Sequence, residues 1–199
     1  MRKRYVILVF LLTLFLLGTA LFLFFDRREA ITIDNSINDA FIKTGTMKIE
    51  SSAFPDNGLI PEKFTCDGEN INPQLIFSDI PIGTKSLLFI MDDPDVPKNL
   101  RPDGLWVHWV MYNIPPNIKE ISENSALTNV AFGIGTSQKT TYGGPCPPDR
   151  EHRYFFKLYA LNVPKLSFVA MPTKEQIELA MEGHIIEAAQ LMGRYDRKR

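Results

Sequence analysis

Five residues of this chain are of types that bind anions or move protons, and they stand where loops meet apolar runs. Asp93 and Asp95 lie in "MDDPDVP" (91–97), His108 between tryptophans in "GLWVHWV" (104–110), and Gly144 and His152 in "GGPCPPDREHRY" (143–154). If the strands carrying them are neighbours, their ends place two imidazoles, two carboxylates and the Gly144 backbone around one cavity. An imidazole beside a carboxylate has its protonated form favoured. Two imidazolium-leaning histidines plus free N–H groups in a Gly-Pro loop make a site for phosphate or carboxylate. The aspartates then orient the histidines, accept a proton from a monoprotonated phosphate, or meet a ligand ammonium. Glycine permits close backbone approach, and prolines stiffen the wall without a ligand having to order it.

Each residue also has a plainer reading. His108 inside a strand can be a satisfied structural residue, His152 a surface residue beside Arg153, and "DDPDVP" a solvated turn. His184 reads as a packing or helix-edge residue. Two further chemistries use the same residues. Cys146, six positions before His152, could form a thiol–imidazole nucleophile, and the histidines with the aspartates could hold a metal. Cys146 has no helix N-terminus or orienting partner in the sequence around it, so a binding site is expected rather than an enzyme, with no cofactor.

The elements that must position these residues are mostly strands. "TMKIESSAF" (46–54), "KSLLFIMDD" (85–93), "LWVHWVMYNI" (105–114) and "RYFFKLYALNV" (153–163) are rich in β-branched and aromatic residues and bounded by Pro, Gly, Asn and Asp. The last two are apolar on both faces, as central strands of a sandwich are. One helix is predicted near the C-terminus. Thr173 and Gln176 form a capping box, Ile177, Ala180, Met181, Ile185, Ala188 and Met192 a stripe at helical spacing, and Gly193 sits just past the end.

The chain has 199 residues and a formal net charge of −1, but its two ends differ. Residues 1–4 are a basic flank, and residues 5–25, "YVILVFLLTLFLLGTALFLFF", hold no charge. As a helix they span roughly 30 Å, the hydrocarbon thickness of a bilayer. A signal peptide is the rival reading, but its apolar region runs only about 7–15 residues, and a cut after Ala20 leaves "LFLFF" exposed. A transmembrane anchor is expected, followed by a polar linker (26–45) and a folded domain (46–199). The basic bias before the span places the N-terminus in the cytoplasm and the domain outside. Beyond residue 28 the chain is acidic, with 17 basic residues against 22 acidic ones. That argues against nucleic-acid binding. Cys66 and Cys146, the only cysteines, either pair in an exported domain or remain two small buried thiols.

"FTCDGENINPQL" (64–75), "DDPDVP", "WVHWVMYNIP" (106–115) and "YGGPCPP…HRYFFKLYAL" follow one another in this order, and the C-terminal "AMEGHIIEAAQLMGRYDR" (180–197) completes the set. Together they resemble the phosphatidylethanolamine-binding protein family, in its bacterial and archaeal Raf kinase inhibitor-like branch, over residues 46–197. The resemblance implies a mainly β fold, an antiparallel Greek-key β-sandwich with a C-terminal helix. It also implies a small pocket for phosphate or phospholipid head groups. Carried over motif by motif, the pocket residues are Asp93, Asp95, Trp106, His108, Gly144, Pro145, His152 and Tyr154, with Arg153 in the same segment. Two departures bear on selectivity: "NINPQ" replaces the family's Asn-X-Ser-Pro-Pro, and Phe77 stands where tryptophan is usual. Relatives described as kinase or protease inhibitors make a protein target the alternative partner, engaged through an exposed rigid loop.

Overall fold

The structure is a computed structural model that describes residues 45–125 and 127–198. The expected anchor and all but the last residue of the expected linker lie outside the described residues. Among those described, no helix is long and apolar enough to cross a membrane. In chain order the strands are Lys48–Glu50 (β1), Gly58–Leu59 (β2), Leu75–Ser78 (β3), Ser86–Asp93 (β4), Trp106–Ile114 (β5), Glu120–Ile121 (β6), Ala131–Phe132 (β7), His152–Leu161 (β8) and Ile185–Tyr195 (β9), with helix Lys174–Met181 (α1) before β9. They form a three-stranded sheet, β1-β3-β6, and a six-stranded sheet, β2-β9-β8-β4-β5-β7. Pairing is antiparallel except between β2 and β9, which run parallel.

The near-continuous apolar runs of β4, β5 and β8 follow from their place in the middle of the larger sheet. One face, with Phe89, Met91, Trp109 and Phe156, packs on Leu75, Phe77 and Ile121 of the smaller sheet. The other, with Leu88, Ile90, Val110 and Tyr159, is covered by Ile177 and Met181 of α1 and by Leu166. Each large side chain so enclosed contributes about 1.5–3 kcal/mol. A strand buried on both faces has no polar side to alternate with.

The register of β4 against β5 contains the feature that matters most for function. Met91 pairs with Trp109 and Asp92 with Val107, so His108 is an extra residue on β5. Such a bulge re-aims side chains. Val107 stays on the helix-covered face and Trp109 on the inter-sheet face, while His108 turns toward Tyr154 of β8, ring centroids 5.4 Å apart.

The C-terminal helix is shorter than its stripe predicts. The capping box forms: Gln176 N donates to the Thr173 hydroxyl and Thr173 N to Gln176 Oε1, at 3.4 and 2.9 Å. The helix stops at Met181, and Gly183 adopts a left-handed φ of +73°. Residues 185–195 then become β9, laddered along β8 from His152↔Tyr195 to Leu161↔Ile185. Spacing alone could not separate the two outcomes, because Ile185, Ala188 and Met192 suit a helix stripe while "IIEAAQLM" also fits a half-buried strand. The long ladder on β8 decides it. Gly193 is a close-packed strand residue, where a Cβ would lie 2.5 Å from Ile60. His184 sits in the turn, its Nδ1 3.0 Å from Asn162 Oδ1. The run 46–54 yields only the three-residue β1.

Candidate ligand-binding site

Two loops build the wall of a cavity at one end of the sandwich. Loop 142–148 is fastened to loop 64–70 by the Tyr142 hydroxyl donating to Phe64 O (2.7 Å), Gly144 N donating to Asn70 Oδ1 (2.7 Å) and Cys66 N donating to Pro145 O (3.1 Å). Cys66 and Cys146 are bonded, with Cα atoms 5.4 Å apart, which settles the alternative the sequence left open. It also removes the free thiol that a Cys146 nucleophile needs. Gly144 is required by proximity, since a Cβ there would lie 2.3 Å from Phe64 O. Its amide is already used by Asn70, so it is not the free anion donor expected of it.

The cavity has a volume of about 500 Å³, within the range of small-molecule sites. Asp93, Trp106, His108 and Gly144 line it, together with the Cys66–Cys146 bridge. The remaining expected residues do not. His152 is fully buried behind the wall, its Nδ1 2.7 Å from Asp93 Oδ2 and its Nε2 2.8 Å from Asp149 Oδ1. It positions Asp93 and does not face the cavity. Tyr154 is buried beside His108. Pro145 contributes its carbonyl to the loop clamp. Asp95 turns outward to Arg153, accepting from its backbone N (2.9 Å), Nε (2.8 Å) and Nη2 (2.8 Å), and that guanidinium holds its carboxyl below the usual range. A metal site is not assembled either: among the described residues no three His, Cys, Asp or Glu are grouped to hold one.

His108 differs most from expectation. Its Nδ1 lies 2.7 Å from Gly143 O, and a carbonyl only accepts, so Nδ1 carries the hydrogen. Nε2 is buried and has no hydrogen-bond partner among the described residues. Burial pushes the imidazole down to about 4, against the smaller opposing pull of the Gly143 carbonyl. The ring is therefore neutral at pH 7, with its lone pair on the buried Nε2. The imidazolium expected at His108 does not form, because desolvation outweighs attraction there. Asp93 is held above its ordinary value by burial, with the His152 hydrogen bond opposing. One of its oxygens also accepts Asp95 N, at 2.8 Å.

Positive charge enters at Arg101 and Lys139, which line the same cavity. The Arg101 guanidinium lies 6.0 Å from the Trp106 ring centroid and pairs with Asp103. Neither residue sits in a motif, and only the tertiary fold brings these loops to one opening. Asn70 was also missed, although it stands inside a quoted motif; its left-handed φ of +58° is a conformation asparagine tolerates. The two departures from the family pattern differ in where they fall. Phe77 is core, and Asn72 ties its own loop by donating to Ser122 O at 2.8 Å and accepting from Ser125 N at 3.1 Å.

Residues 50–196 match the family described as phosphatidylethanolamine-binding protein. A UPF0098 protein of Chlamydia pneumoniae is 48% identical over 151 residues, a match spanning 76% of this chain and 99% of the relative. Another, from Methanothermobacter thermautotrophicus, is 43% identical over 156 residues, spanning 76% and 99%. The crystal structure of a phosphatidylethanolamine-binding protein homologue from Chlamydia trachomatis superposes with a TM-score of 0.73 at 45% identity, covering 76% of this chain and 98% of that one. An E. coli member of the family superposes with a TM-score of 0.69 at 25% identity, covering 76% and 99%.

Proposed function

The chain belongs to the phosphatidylethanolamine-binding protein family, and on that premise we propose that its cavity binds a small ligand bearing a phosphoryl or similar oxyanion group, of the phospholipid head-group kind, without catalysing its turnover. The observation that carries this reading is a cavity of about 500 Å³ whose lining brings Arg101 and Lys139 together with Trp106 and His108. Arg101 and Lys139 supply charge of the sign an oxyanion needs. The rigid, disulfide-tied wall supports affinity, since little ordering entropy is lost on binding.

We further propose that residues 5–25 anchor the domain to a membrane, with the N-terminus cytoplasmic and the cavity outside. The Cys66–Cys146 bond supports the oxidising side. Full-length protein in membrane fractions is expected to resist carbonate extraction, and recovery in the soluble wash would refute the anchor.

Calorimetric titration of the full-length chain in detergent with inorganic phosphate and with phosphoethanolamine tests the binding reading. Saturable 1:1 binding is expected, weakened at least tenfold in His108→Ala. Absence of binding by the unaltered chain, or an affinity unchanged by the substitution, overturns it.

A further inference from the structure

We infer that the domain holds a second subsite beside the first, which takes the uncharged, polyhydroxylated part of a phosphorylated ligand, a sugar or cyclitol ring. This deepens, and rests on, the oxyanion reading above. A second cavity, of about 480 Å³, opens next to the one already described. Asn70, Thr141 and Tyr142 line both cavities, which therefore share one ridge. The loop 139–142 runs along it: Lys139 lines the first cavity, Thr140 the second, and Thr141 and Tyr142 both. A cation for a phosphoryl group and a hydroxyl for the group attached to it thus sit on consecutive residues, whose Cα atoms are about 3.8 Å apart. A ligand the size of a sugar phosphate spans that step.

The two linings differ in chemistry. The first contains Asp93, Arg101 and Lys139, whereas no charged side chain lines the second. An ammonium or a carboxylate would find no opposite charge there. The polar groups of the second cavity are amides and hydroxyls. Those of Asn124, Ser125, Thr140 and Thr141 have no protein partner among the described residues. Asn70 spends its Oδ1 on Gly144 N and keeps its N–H₂ as a donor at the ridge. Amides and hydroxyls offer donors and acceptors together, and so does a ligand hydroxyl. The apolar part of the lining lies deeper: Trp109 is buried and Phe132 and Tyr142 half-buried, while Asn70, Asn124 and Thr141 are exposed. The C–H faces of a sugar ring pack on such a floor while its hydroxyls meet the polar rim.

Both walls are fastened before a ligand arrives. On the ridge, the Tyr142 hydroxyl is committed to Phe64 O and the Tyr142 ring meets Trp109 edge to face, centroids 5.6 Å apart. On the opposite side, Asn72 donates to Ser122 O and accepts from Ser125 N, and Asn124 N donates to Asn72 O at 3.1 Å. Asn72 is the residue that stands where the family pattern has serine, so this chain's own departure holds the second wall. Little ordering entropy is then lost when a ring enters.

The test is calorimetry on the full-length chain in detergent with three phosphorylated compounds. Glucose 1-phosphate stands for a free sugar phosphate, glycerophosphoinositol for a lipid head group, and phosphoethanolamine carries no carbon-bound hydroxyl. Ser125→Ala with Thr140→Val removes two hydroxyls from the second cavity alone, with little change of shape. The double variant should bind the two ring-bearing compounds about tenfold more weakly and phosphoethanolamine within about twofold of the unaltered chain. Circular dichroism and the retained phosphoethanolamine binding check folding. Whichever ring-bearing compound the unaltered chain binds more tightly names the source of the ligand. If the variant keeps the affinity for both rings, or loses all three compounds alike, the second subsite is overturned and the oxyanion reading stands. An unaltered chain that binds phosphoethanolamine and neither ring has the same meaning. If it binds none of the three, both readings fall.

Discussion

Asp92 and Asp93 are consecutive on β4, both are buried, and the pleat sends them to opposite faces of one sheet. Asp92 faces the helix side, where Lys157 Nζ lies 3.0 Å and Lys174 Nζ 3.6 Å from its Oδ2, and Glu178 is 2.8 Å from Lys174. Burial works against the Lys174 ammonium, but Asp92 and Glu178 together hold it above its ordinary value. Asp93 faces the cavity and is met by an imidazole instead of an ammonium. Asp92 is thus held between two ammonium groups with its Oδ1 unpartnered among the described residues, whereas both Asp93 oxygens at the cavity are engaged by protein groups. Low dielectric raises the stakes on both faces. What differs is the partner: ammonium groups on the helix side, an imidazole and a backbone amide at the cavity.

Breaking the helix-side cluster should have the largest effect. Asp92→Ala leaves two lysines facing a buried site without their counter-ion and should lower unfolding free energy by about 3–5 kcal/mol, read from urea denaturation, while phosphate affinity changes less than twofold. Asp93→Asn should cost only about 1 kcal/mol, the scale of one hydrogen bond, because burial already disfavours the Asp93 charge. Equal costs would dissolve the contrast between the faces.

The next effect in size belongs to the cavity wall. Cys66 and Cys146 are 80 residues apart, and opening a loop of that length by Cys66→Ser with Cys146→Ser should cost about 2–4 kcal/mol. Because the bridge lines the cavity, phosphate binding should weaken as well. A stability loss with affinity untouched would show that the Tyr142, Gly144 and Pro145 hydrogen bonds hold the wall alone.

A pH series gives the third test. Folding keeps His108 neutral down to about 4, whereas the unfolded chain protonates it near 6.5. As pH falls the unfolded state gains the proton first, so this residue destabilises the fold progressively between those two values and has no effect above the upper one. The full loss is about 3 kcal/mol. His108→Gln should remove that slope from the stability profile below pH 6.5, and a slope identical to that of the unaltered chain would contradict the buried, neutral ring.

Much of this was legible in the chain. Strands 85–93, 105–114 and 153–163 stand within two residues of β4, β5 and β8, because runs apolar on both faces have few ways to be buried. Thr173 and Gln176 marked the helix start correctly, since capping is decided within four residues. The helix end was not legible, because only the edge of β8 shows that residues 185–195 have a partner. Of the cavity residues, Asp93, Trp106, His108 and Gly144 were found by motif. His152, Tyr154, Pro145 and Asp95 were grouped with them but stand behind or outside the wall, a distinction that depends on which way each side chain turns.

By itself, then, the sequence determined the strand-rich core, the helix cap, the acidic balance of the domain and the cluster of chemically capable residues at three strand ends. These are local properties, set by side-chain type and spacing. Only the tertiary structure decided the protonation of His108, the outward turn of Asp95, the pairing of Cys66 with Cys146 and the arrival of Arg101 and Lys139 at the cavity. Each of those depends on burial or on neighbours distant in the chain, and desolvation is a property of the assembled environment that no single segment carries.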